Sequence, residues 1–214
     1  LGIQGLDSPD RLGLSLVLGG GEVRLLDHVY AYATLATGGV KRPMAAILKI
    51  EDAKRGVLEE FQNSPGERVI DEKYVTMLEH VMSTNSFRAP VFGENSPLRF
   101  DNRDVAAKTG TTNEFRDGWT IGFTPSLAVG VWAGNNDNSP MAAGADGVLI
   151  AAPIWRAFLD KALVNYATER FPKYEKEDIE KPMLGGKLED KKDLKVCEIP
   201  GEDEKYWLAH KYCP

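Results

Sequence analysis

A lysine, three threonines and a glycine stand together in VAAKTGTT, residues 105–112. Side chains alternate between the two faces of a β-strand, so Lys108 and Gly110 share one face. Thr109 and Thr111 share the other, where their hydroxyls can donate to a carboxylate in charge-assisted hydrogen bonds worth about 1.5–3 kcal/mol each. At the edge of a sheet the strand's free backbone groups pair with an extended peptide, and a glycine allows close approach. The segment predicts a strand that binds a peptide ending in a free carboxylate.

Two other interpretations of the Lys-Thr-Gly motif have to be considered. An ordinary amphipathic strand also contains Lys-Thr-Gly by chance, and this alternative stays open on the motif alone. A phosphate-binding P-loop requires G-x-x-x-x-G-K-[ST], whereas here the glycine follows the lysine and none precedes it at the right distance. The sequence therefore excludes a P-loop. The triplet Gly19-Gly20-Gly21 is interpreted as a turn.

Three strand-like runs follow one another in DVAAKTGTT, GWTIGFTP and SLAVGVWAGN, which are residues 104–112, 118–125 and 126–135. In the second run, apolar and small or polar residues alternate, which predicts a strand with one buried face. The connections are too short for crossover helices, so the three strands are predicted to pair antiparallel. A separate hairpin is predicted from MAAILKI and VLEEF, joined by EDAKRG.

Three helices are predicted around these strands. The first spans residues 22–37 and stops at Gly38-Gly39. The second is capped by Asp71 and ends near Ser83. The third spans residues 151–164 and is started or kinked by Pro153. Their predicted apolar faces are Leu26, Val29, Tyr30, Ala33 and Ala36; Tyr74, Val75, Leu78, Val81 and Met82; and Ile154, Trp155, Phe158, Leu159, Ala162 and Leu163. The fold class is α+β, an antiparallel β-sheet flanked by helices.

Composition places a domain boundary after residue 167. Residues 1–167 form the predicted domain, whereas nearly half of residues 168–214 are charged with mixed sign, which predicts a tail or linker. Cys197 and Cys213 in this tail are either two thiols or a disulfide that closes a small unit; with His210 they are one ligand short of a closed zinc site. The net charge of −6 argues against nucleic acid as a partner.

Several ordered blocks resemble the transpeptidase domain of penicillin-binding proteins, especially the bifunctional class A enzymes. They are residues 12–39 (LGLSLVLGGGEVRLLDHVYAYATLATGG), 88–100 (RAPVFGENSPLRF) and 108–137 (KTGTTNEFRDGWTIGFTPSLAVGVWAGNND). The K-T-G triplet belongs to that group's signature, beside S-x-x-K and S-D-N. The resemblance covers roughly residues 1–164 and implies an incomplete fold of the penicillin-binding protein and serine β-lactamase type.

The resemblance implies chemistry on a peptidoglycan stem peptide. In this family a serine attacks a D-Ala-D-Ala bond and the acyl group passes to an amine, while β-lactam antibiotics trap the serine. Lys108 and Thr111 are the implied catalytic residues, Lys108 through the proton network and Thr111 through a backbone N–H in the oxyanion hole. Lys108, Thr109, Gly110 and Thr111 are the implied substrate-binding residues, and Asn113 is a candidate for shaping the cleft. No metal or cofactor is implied.

The family's nucleophile is missing from this sequence. No serine has a lysine three residues further on, and the serines concerned are Ser8, Ser15, Ser64, Ser83, Ser86, Ser96, Ser126 and Ser139. Ser83-Thr84-Asn85 matches S-x-N but is interpreted as structural, because the family's catalytic copy lies further upstream. We expect this chain to be the C-terminal part of a longer transpeptidase, inactive alone, whose upstream part supplies the serine. A naturally reduced homologue is the other explanation.

The resemblance also sets the expected location and the competing functions. A transpeptidase acts on the extracytoplasmic side of a bacterial membrane, to which an anchor outside this chain would tie it. A non-catalytic module that binds cell-wall peptides or a protein partner, and a β-lactam hydrolase, are the alternatives. Among single residues, Trp119, Phe123, Trp132 and Trp155 are predicted to be core, Arg116 and Asp117 to be solvated, His28 to be packed and His80 to lie on a helix surface.

Overall fold

The computed structural model describes residues 1–6 and 12–175, and the backbone alone of residues 196–198 and 207–209. The chain divides into two compact units, Leu1–Tyr174 and Glu175–Pro214. The division lies seven residues beyond the boundary that composition placed after residue 167. In the second unit β8 (Val196–Glu198) pairs antiparallel with β9 (Trp207–Ala209). The question of whether Cys197 and Cys213 are bonded falls on side chains outside the described residues.

The first unit begins with a 3₁₀ helix, Gly13–Leu18, before its regular elements. Its helices are α1 (Leu25–Ala36), α2 (Glu72–Ser83), α3 (Asn85–Phe92) and α4 (Gly147–Ala162). Its strands are β1 (Val40–Lys41), β2 (Lys49–Glu51), β3 (Val57–Glu60), β4 (Glu67–Arg68), β5 (Ala106–Thr111), β6 (Asp117–Phe123) and β7 (Ala128–Gly134). Short 3₁₀ turns lie at Asn113–Phe115 and Leu163–Asn165.

The main sheet has the order β5-β6-β7 and is antiparallel throughout, as predicted. Its register places Lys108 opposite Ile121, and Gly110 opposite Trp119, which in turn lies opposite Trp132. The predicted hairpin is also confirmed, because β2 pairs antiparallel with β3 across a register shift at residues 50–51. A third pair, β1 with β4, joins the end of α1 to the start of α2.

Helices cover both faces of the sheet, so the prediction that the central strand has one buried face is wrong. Thr120 is as fully buried as Phe123. The Phe123 side faces α1, where the Tyr32 ring lies edge-on at 6.1 Å between centroids. The Thr120 side faces α4, and a Cβ on Gly122 would lie 2.5 Å from Cζ2 of Trp155. The small residues of β6 that suggested a solvent face instead make room for a closely packed helix.

Two buried clusters occupy these two layers. The α4 layer is built around Trp155, whose indole N–H donates to the backbone oxygen of Val129 at 3.1 Å. Its other members are Leu98, Val105, Ala107, Val129, Ala152, Leu159 and Leu163. The α1 layer contains Leu35, Val75, Ala106 and Phe123. Ala106 and Ala107 are neighbours in the chain, and they belong to different layers because β5 alternates its side chains.

The predicted face of α1 is wrong. Leu26 is 63% exposed, and the buried residues are Asp27, Ala31, Thr34 and Leu35. The apolar pattern missed Asp27 and Thr34 because their polar atoms are satisfied locally: Arg24 pairs with the Asp27 carboxylate at 2.8 Å, and the Thr34 hydroxyl donates to the oxygen of Tyr30 at 3.1 Å. A buried polar group that is hydrogen-bonded within its own helix costs little.

The cap at Asp71 and the end of α2 at Ser83 are confirmed, since the Asp71 side chain accepts from the N–H of Lys73. The predicted apolar face of α2 is half right, because Val75 is buried whereas Tyr74 and Val81 are exposed. The other buried residue of α2 is Glu79, one turn after Val75. The core contact of α2 is therefore narrower than its apolar pattern suggested.

Helix α4 starts four residues before its predicted start, because Asp146 caps it by accepting from the N–H of Leu149 at 2.9 Å. Pro153 lies inside the helix and does not start it. Within the predicted stripe Trp155, Leu159 and Leu163 are buried, whereas Ile154 and Phe158 are 57% and 52% exposed. Only the side of the stripe that faces the sheet is buried.

Trp155 and Ile154 are neighbours in α4 that differ in burial, so they form a matched pair. We predict that Trp155→Ala lowers the free energy of unfolding by about 3–5 kcal/mol, because it empties the centre of the α4 layer. Ile154→Ala is expected to change it by no more than about 0.5 kcal/mol, as usual for a surface position. Urea unfolding of the purified chain, followed by far-UV circular dichroism, measures both; equal losses would contradict this packing.

Candidate functional site

Strand β5 lies at the edge of its sheet. Among the strands that the structure describes it pairs only with β6, so one row of its backbone groups has no strand beside it. Such a row is a template for an added strand. The Lys-Thr-Gly-Thr segment therefore lies on an edge strand of the described sheet, which is the arrangement that pairing with an extended peptide requires.

The hydrogen bonds of the strand's end decide which backbone groups face the open edge. The N–H of Thr112 donates to the oxygen of Asp117 at 3.1 Å, towards β6. N–H groups alternate in direction along a strand, so those of Thr111 and Thr109 point away from β6. The Lys108 ammonium donates to the backbone oxygen of Thr109, which places its charge at the same edge.

The side chains of the segment divide between the two helix layers. Gly110 lies opposite Trp119 and Lys108 opposite Ile121, on the α1 side. Thr111 lies on the α4 side, where the backbone N–H of Gly147 donates to its Oγ1 at 3.0 Å. Within the described part of the chain, the Thr111 hydroxyl hydrogen has no acceptor, and this side chain is exposed. Thr111 is thus a donor whose oxygen is already held in place.

The connection between β5 and β6 is closed by Thr112 and Asp117. The Thr112 hydroxyl donates to Oδ2 of Asp117, and the N–H of Asp117 donates back to the same hydroxyl, both at 2.9 Å. Between them Glu114 and Phe115 adopt left-handed backbone angles, with φ of 59° and 55°. Asn113 is exposed at the start of this turn, directly after the edge strand.

One prediction about the surroundings of this turn is wrong, and two polar residues beside it have partners that the sequence did not indicate. Trp132 is 36% exposed and not core, because its indole N–H donates to Oδ1 of Asp117 at 2.7 Å at the end of the sheet. Asp117, predicted to be solvated, is half-buried and accepts from both Trp132 and Thr112. Arg116 is tied to the Glu114 carboxylate and to the backbone oxygen of Asn138.

An aromatic layer backs the α1 side of the edge strand. The His28 ring packs edge-on against Tyr32 at 5.4 Å and tilts over Trp119 at 5.8 Å between centroids. Burial lowers the pKa of His28 below its usual value, so the ring is neutral near pH 7. The prediction that His28 is packed is confirmed. Trp119 is half-buried and lies beside Gly110 on the neighbouring strand, so the aromatic layer reaches the strand next to the edge.

The segment Ser83-Thr84-Asn85 joins α2 to α3. The backbone oxygen of Ser83 accepts from Arg88 at 2.7 Å, and the Asn85 amide donates to the backbone and side chain of Glu94. These contacts hold the helix junction, in agreement with the structural role expected for it. His80, expected on a helix surface, stacks on Tyr174 and meets the Phe87 ring edge-on at the same end of α2.

A cleft of about 510 Å³ lies elsewhere, between residues 100–103 and the end of α4. It is roughly 18 Å along the helix from Gly147, given 1.5 Å of rise per residue. Its Arg156 stacks on the Phe100 ring at 4.1 Å and pairs with Asp160 at 2.8 Å. These contacts fasten residues 97–100 to α4, so we assign this cleft a structural role.

Two further searches cover the described residues. In residues 1–6 and 12–175 no cluster of three histidine, cysteine, aspartate or glutamate side chains is arranged to hold a metal ion. In the same part of the chain no helix has the length and apolar character needed to cross a bilayer.

Sequence analysis missed Gly147 and the pairing of Trp132 with Asp117. Asp146-Gly147 directly before an apolar run is the ordinary signature of a capped helix start, and it would have placed the start of α4 correctly. The partner of Asp117 had no local signal, because Trp132 lies fifteen residues away and meets it only through the register of β6 and β7.

The fold is that of the transpeptidase domain of penicillin-binding proteins. The structure of PonA1 from Mycobacterium tuberculosis in complex with penicillin V is 33% identical to this chain with a TM-score of 0.64; the match covers 75% of this chain and 44% of that chain. The crystal structure of penicillin-binding protein 1A from Haemophilus influenzae shares the fold at 18% identity and a TM-score of 0.65, over 95% of this chain and 35% of that chain.

The sequence profile described as "Penicillin binding protein transpeptidase domain" matches residues 19–160. Penicillin-binding protein 1A of Mycobacterium tuberculosis is 32% identical over 169 residues, 74% of this chain and 20% of the relative. Penicillin-binding protein 2D of Bacillus subtilis is 37% identical over 155 residues, 70% of this chain and 22% of the relative. The chain belongs to the class A penicillin-binding protein transpeptidase family, and it spans about a fifth of the length of these relatives.

Glu79 is a buried carboxyl group on α2, the helix that packs on β5. It is 3% exposed, and burial, with a smaller contribution from the charge of Glu72, raises its pKa to about 7 from 4.5. Between these two values the folded chain keeps a proton that the unfolded chain has released. Stability from this group is therefore complete below about pH 4.5 and is lost as the pH rises through 7.

We predict that Glu79→Gln flattens the pH dependence of stability between pH 4.5 and 7 and raises the free energy of unfolding at pH 8 by roughly 2 kcal/mol. Denaturant unfolding at a series of pH values measures this. Glu72→Gln is the matched control on the same helix; its side chain is 63% exposed, so most of the slope should remain. An unchanged slope in Glu79→Gln would rule out the assignment.

Proposed function

We propose that this chain is the C-terminal section of a D,D-transpeptidase that cross-links peptidoglycan stem peptides through an acyl-serine intermediate. The observation that carries the proposal is the open edge of β5. There the outward N–H groups of Thr109 and Thr111, the Lys108 ammonium and an unshared hydroxyl proton on Thr111 lie along one strand. All are donors, which suits an anionic peptide terminus and a developing oxyanion.

Each residue of the strand has a role in this proposal. The stem peptide pairs with β5 as an added strand, and Gly110 lets its backbone approach. The Thr109 and Thr111 hydroxyls hold the terminal carboxylate, with Lys108 supplying charge and a proton path to the nucleophile. The N–H of Thr111 is one donor to the oxyanion, a contribution that is typically about 2.7–4 kcal/mol in acyl transfer. Asn113 shapes the end of the cleft.

The nucleophilic serine comes from a part of the protein upstream of this sequence. None of the eight serines is followed by lysine at the third position, so this chain alone forms no acyl-enzyme. PonA1, a related protein solved with penicillin V, supports β-lactams as ligands of the completed site. The proposed location is the extracytoplasmic side of a bacterial membrane, with any anchor outside this chain.

A non-catalytic binding module is the second candidate. The lack of S-x-x-K favours it, because an open edge strand and a carboxylate-binding threonine pair bind a peptide without any nucleophile. The two candidates differ in one respect that can be measured directly, which is whether a covalent bond to a β-lactam forms anywhere in the gene product.

We predict that a fluorescent penicillin labels the intact gene product covalently on a serine upstream of this sequence, and does not label residues 1–214 alone. Denaturing gel electrophoresis and peptide mapping by mass spectrometry measure this. Thr111→Val in the intact protein should slow labelling about 10–100-fold, because a hydrogen bond to a charged group is lost.

Thr111→Ser, which keeps the hydroxyl, should label at nearly the normal rate. Thr168→Val is the matched control at an exposed position; the nearby Arg170 pairs with Asp104, beyond the opposite end of β5 from Thr111. No covalent label on the intact product, together with binding of a D-Ala-D-Ala peptide, would favour the binding module. Neither label nor binding would refute both candidates.

A further inference from the structure

Gly147, the first residue of α4, is held between two threonine hydroxyls. Its N–H donates to Oγ1 of Thr111 on the edge strand at 3.0 Å, and its backbone oxygen accepts from Oγ1 of Thr120 on the central strand at 3.1 Å. Thr120 is fully buried, so the second bond fixes the start of α4 to the middle of the sheet. The first bond connects this anchored helix start to the Thr111 side chain at the exposed edge.

Only glycine allows this approach. A Cβ at position 147 would lie 2.5 Å from the backbone oxygens of both Gly110 and Trp119. Both obstacles are backbone atoms, which cannot rotate aside as a flexible side chain does, so any other residue must push α4 away from β5. The φ of Gly147 is not in the left-handed region, so the requirement comes from space and not from backbone conformation.

The bond from Gly147 determines what Thr111 can do with its hydroxyl. A threonine hydroxyl has one proton and two acceptor sites, and its rotor turns freely unless a partner holds it. With one acceptor site taken by Gly147, the proton has to point elsewhere, and among the described residues nothing accepts it. The bond from Gly147 thereby leaves the exposed Thr111 hydroxyl with its proton available to a bound ligand.

We propose that Gly147 is a positioning residue that presets the Thr111 hydroxyl to donate to the substrate's carboxylate. This inference rests on the proposed function. Gly147 does not touch the substrate; it acts through Thr111, and Thr120 anchors it. A positioning role is distinguished from simple packing by its dependence on the carboxylate, because looser packing slows every substrate alike.

The experiment measures the second-order acylation rate of the intact gene product by a fluorescent penicillin and by the methyl ester of the same compound, which lacks the carboxylate. The expected acid-to-ester rate ratio falls about tenfold in Gly147→Ala, while the ester rate stays within about twofold. In a Thr111→Val background, Gly147→Ala is expected to cause no further fall, because the residue through which it acts is already gone.

Gly130→Ala is the matched control. A Cβ there would lie 2.5 Å from Cγ2 of Val29, so it crowds the α1 face of the sheet and not the α4 face. It is expected to lower stability without changing the ratio. Thr120→Val is a second test variant that adds no atom at Gly147; by releasing the anchor it should lower the ratio about threefold, and it decides the question if Gly147→Ala does not fold.

The outcomes distinguish the positioning role of Gly147 from the proposed transpeptidase function. A labelled wild type whose ratio is unchanged in both Gly147→Ala and Thr120→Val overturns the positioning role and leaves the transpeptidase proposal standing. Equal slowing of acid and ester, or a further fall in the Thr111→Val background, also overturns the positioning role. A wild type that neither acid nor ester labels overturns the proposed function, and the positioning role falls with it.

Discussion

The organising feature of the sheet is the outer edge of β5, which pairs with none of the other described strands. Backbone N–H and C=O groups are obligatory hydrogen-bonding groups, and a strand with one neighbour leaves half of them open to another partner. Here the Lys108 ammonium and the hydroxyl of Thr111, both hydrogen-bond donors, lie on the same strand as these open groups. A second neighbouring strand would satisfy the same groups and leave no site.

Two helix layers pack against the sheet that contains this open edge. On one side α1 places the His28 and Tyr32 rings against Trp119 and Phe123. On the other side α4 reaches the sheet through Gly118, Gly122 and Gly147, where any Cβ would collide with a neighbour. Helices therefore pack on both faces of the sheet, while no described strand pairs with the outer edge of β5.

The central motif was predictable because its chemistry is local. Lys108, Thr109, Gly110 and Thr111 lie consecutively, and alternation along a strand assigns each side chain to a face without any tertiary information. The antiparallel order of β5, β6 and β7 followed from short connections in the same way. The roles of these residues and of Asn113 in binding and catalysis remain predictions.

The sequence was sufficient to predict the fold class, a strand that carries Lys108–Thr111, the cap at Asp71 and the family resemblance, because each follows from residue types and their spacing along the chain. The tertiary structure decided what those stretches bury: both faces of β6, the polar Asp27, Thr34 and Glu79 within helices, and the exposure of Trp132. It also decided the contact of Gly147 with Thr111, thirty-six residues apart. Burial and long-range hydrogen bonds depend on which element packs against which, and no local pattern contains that information.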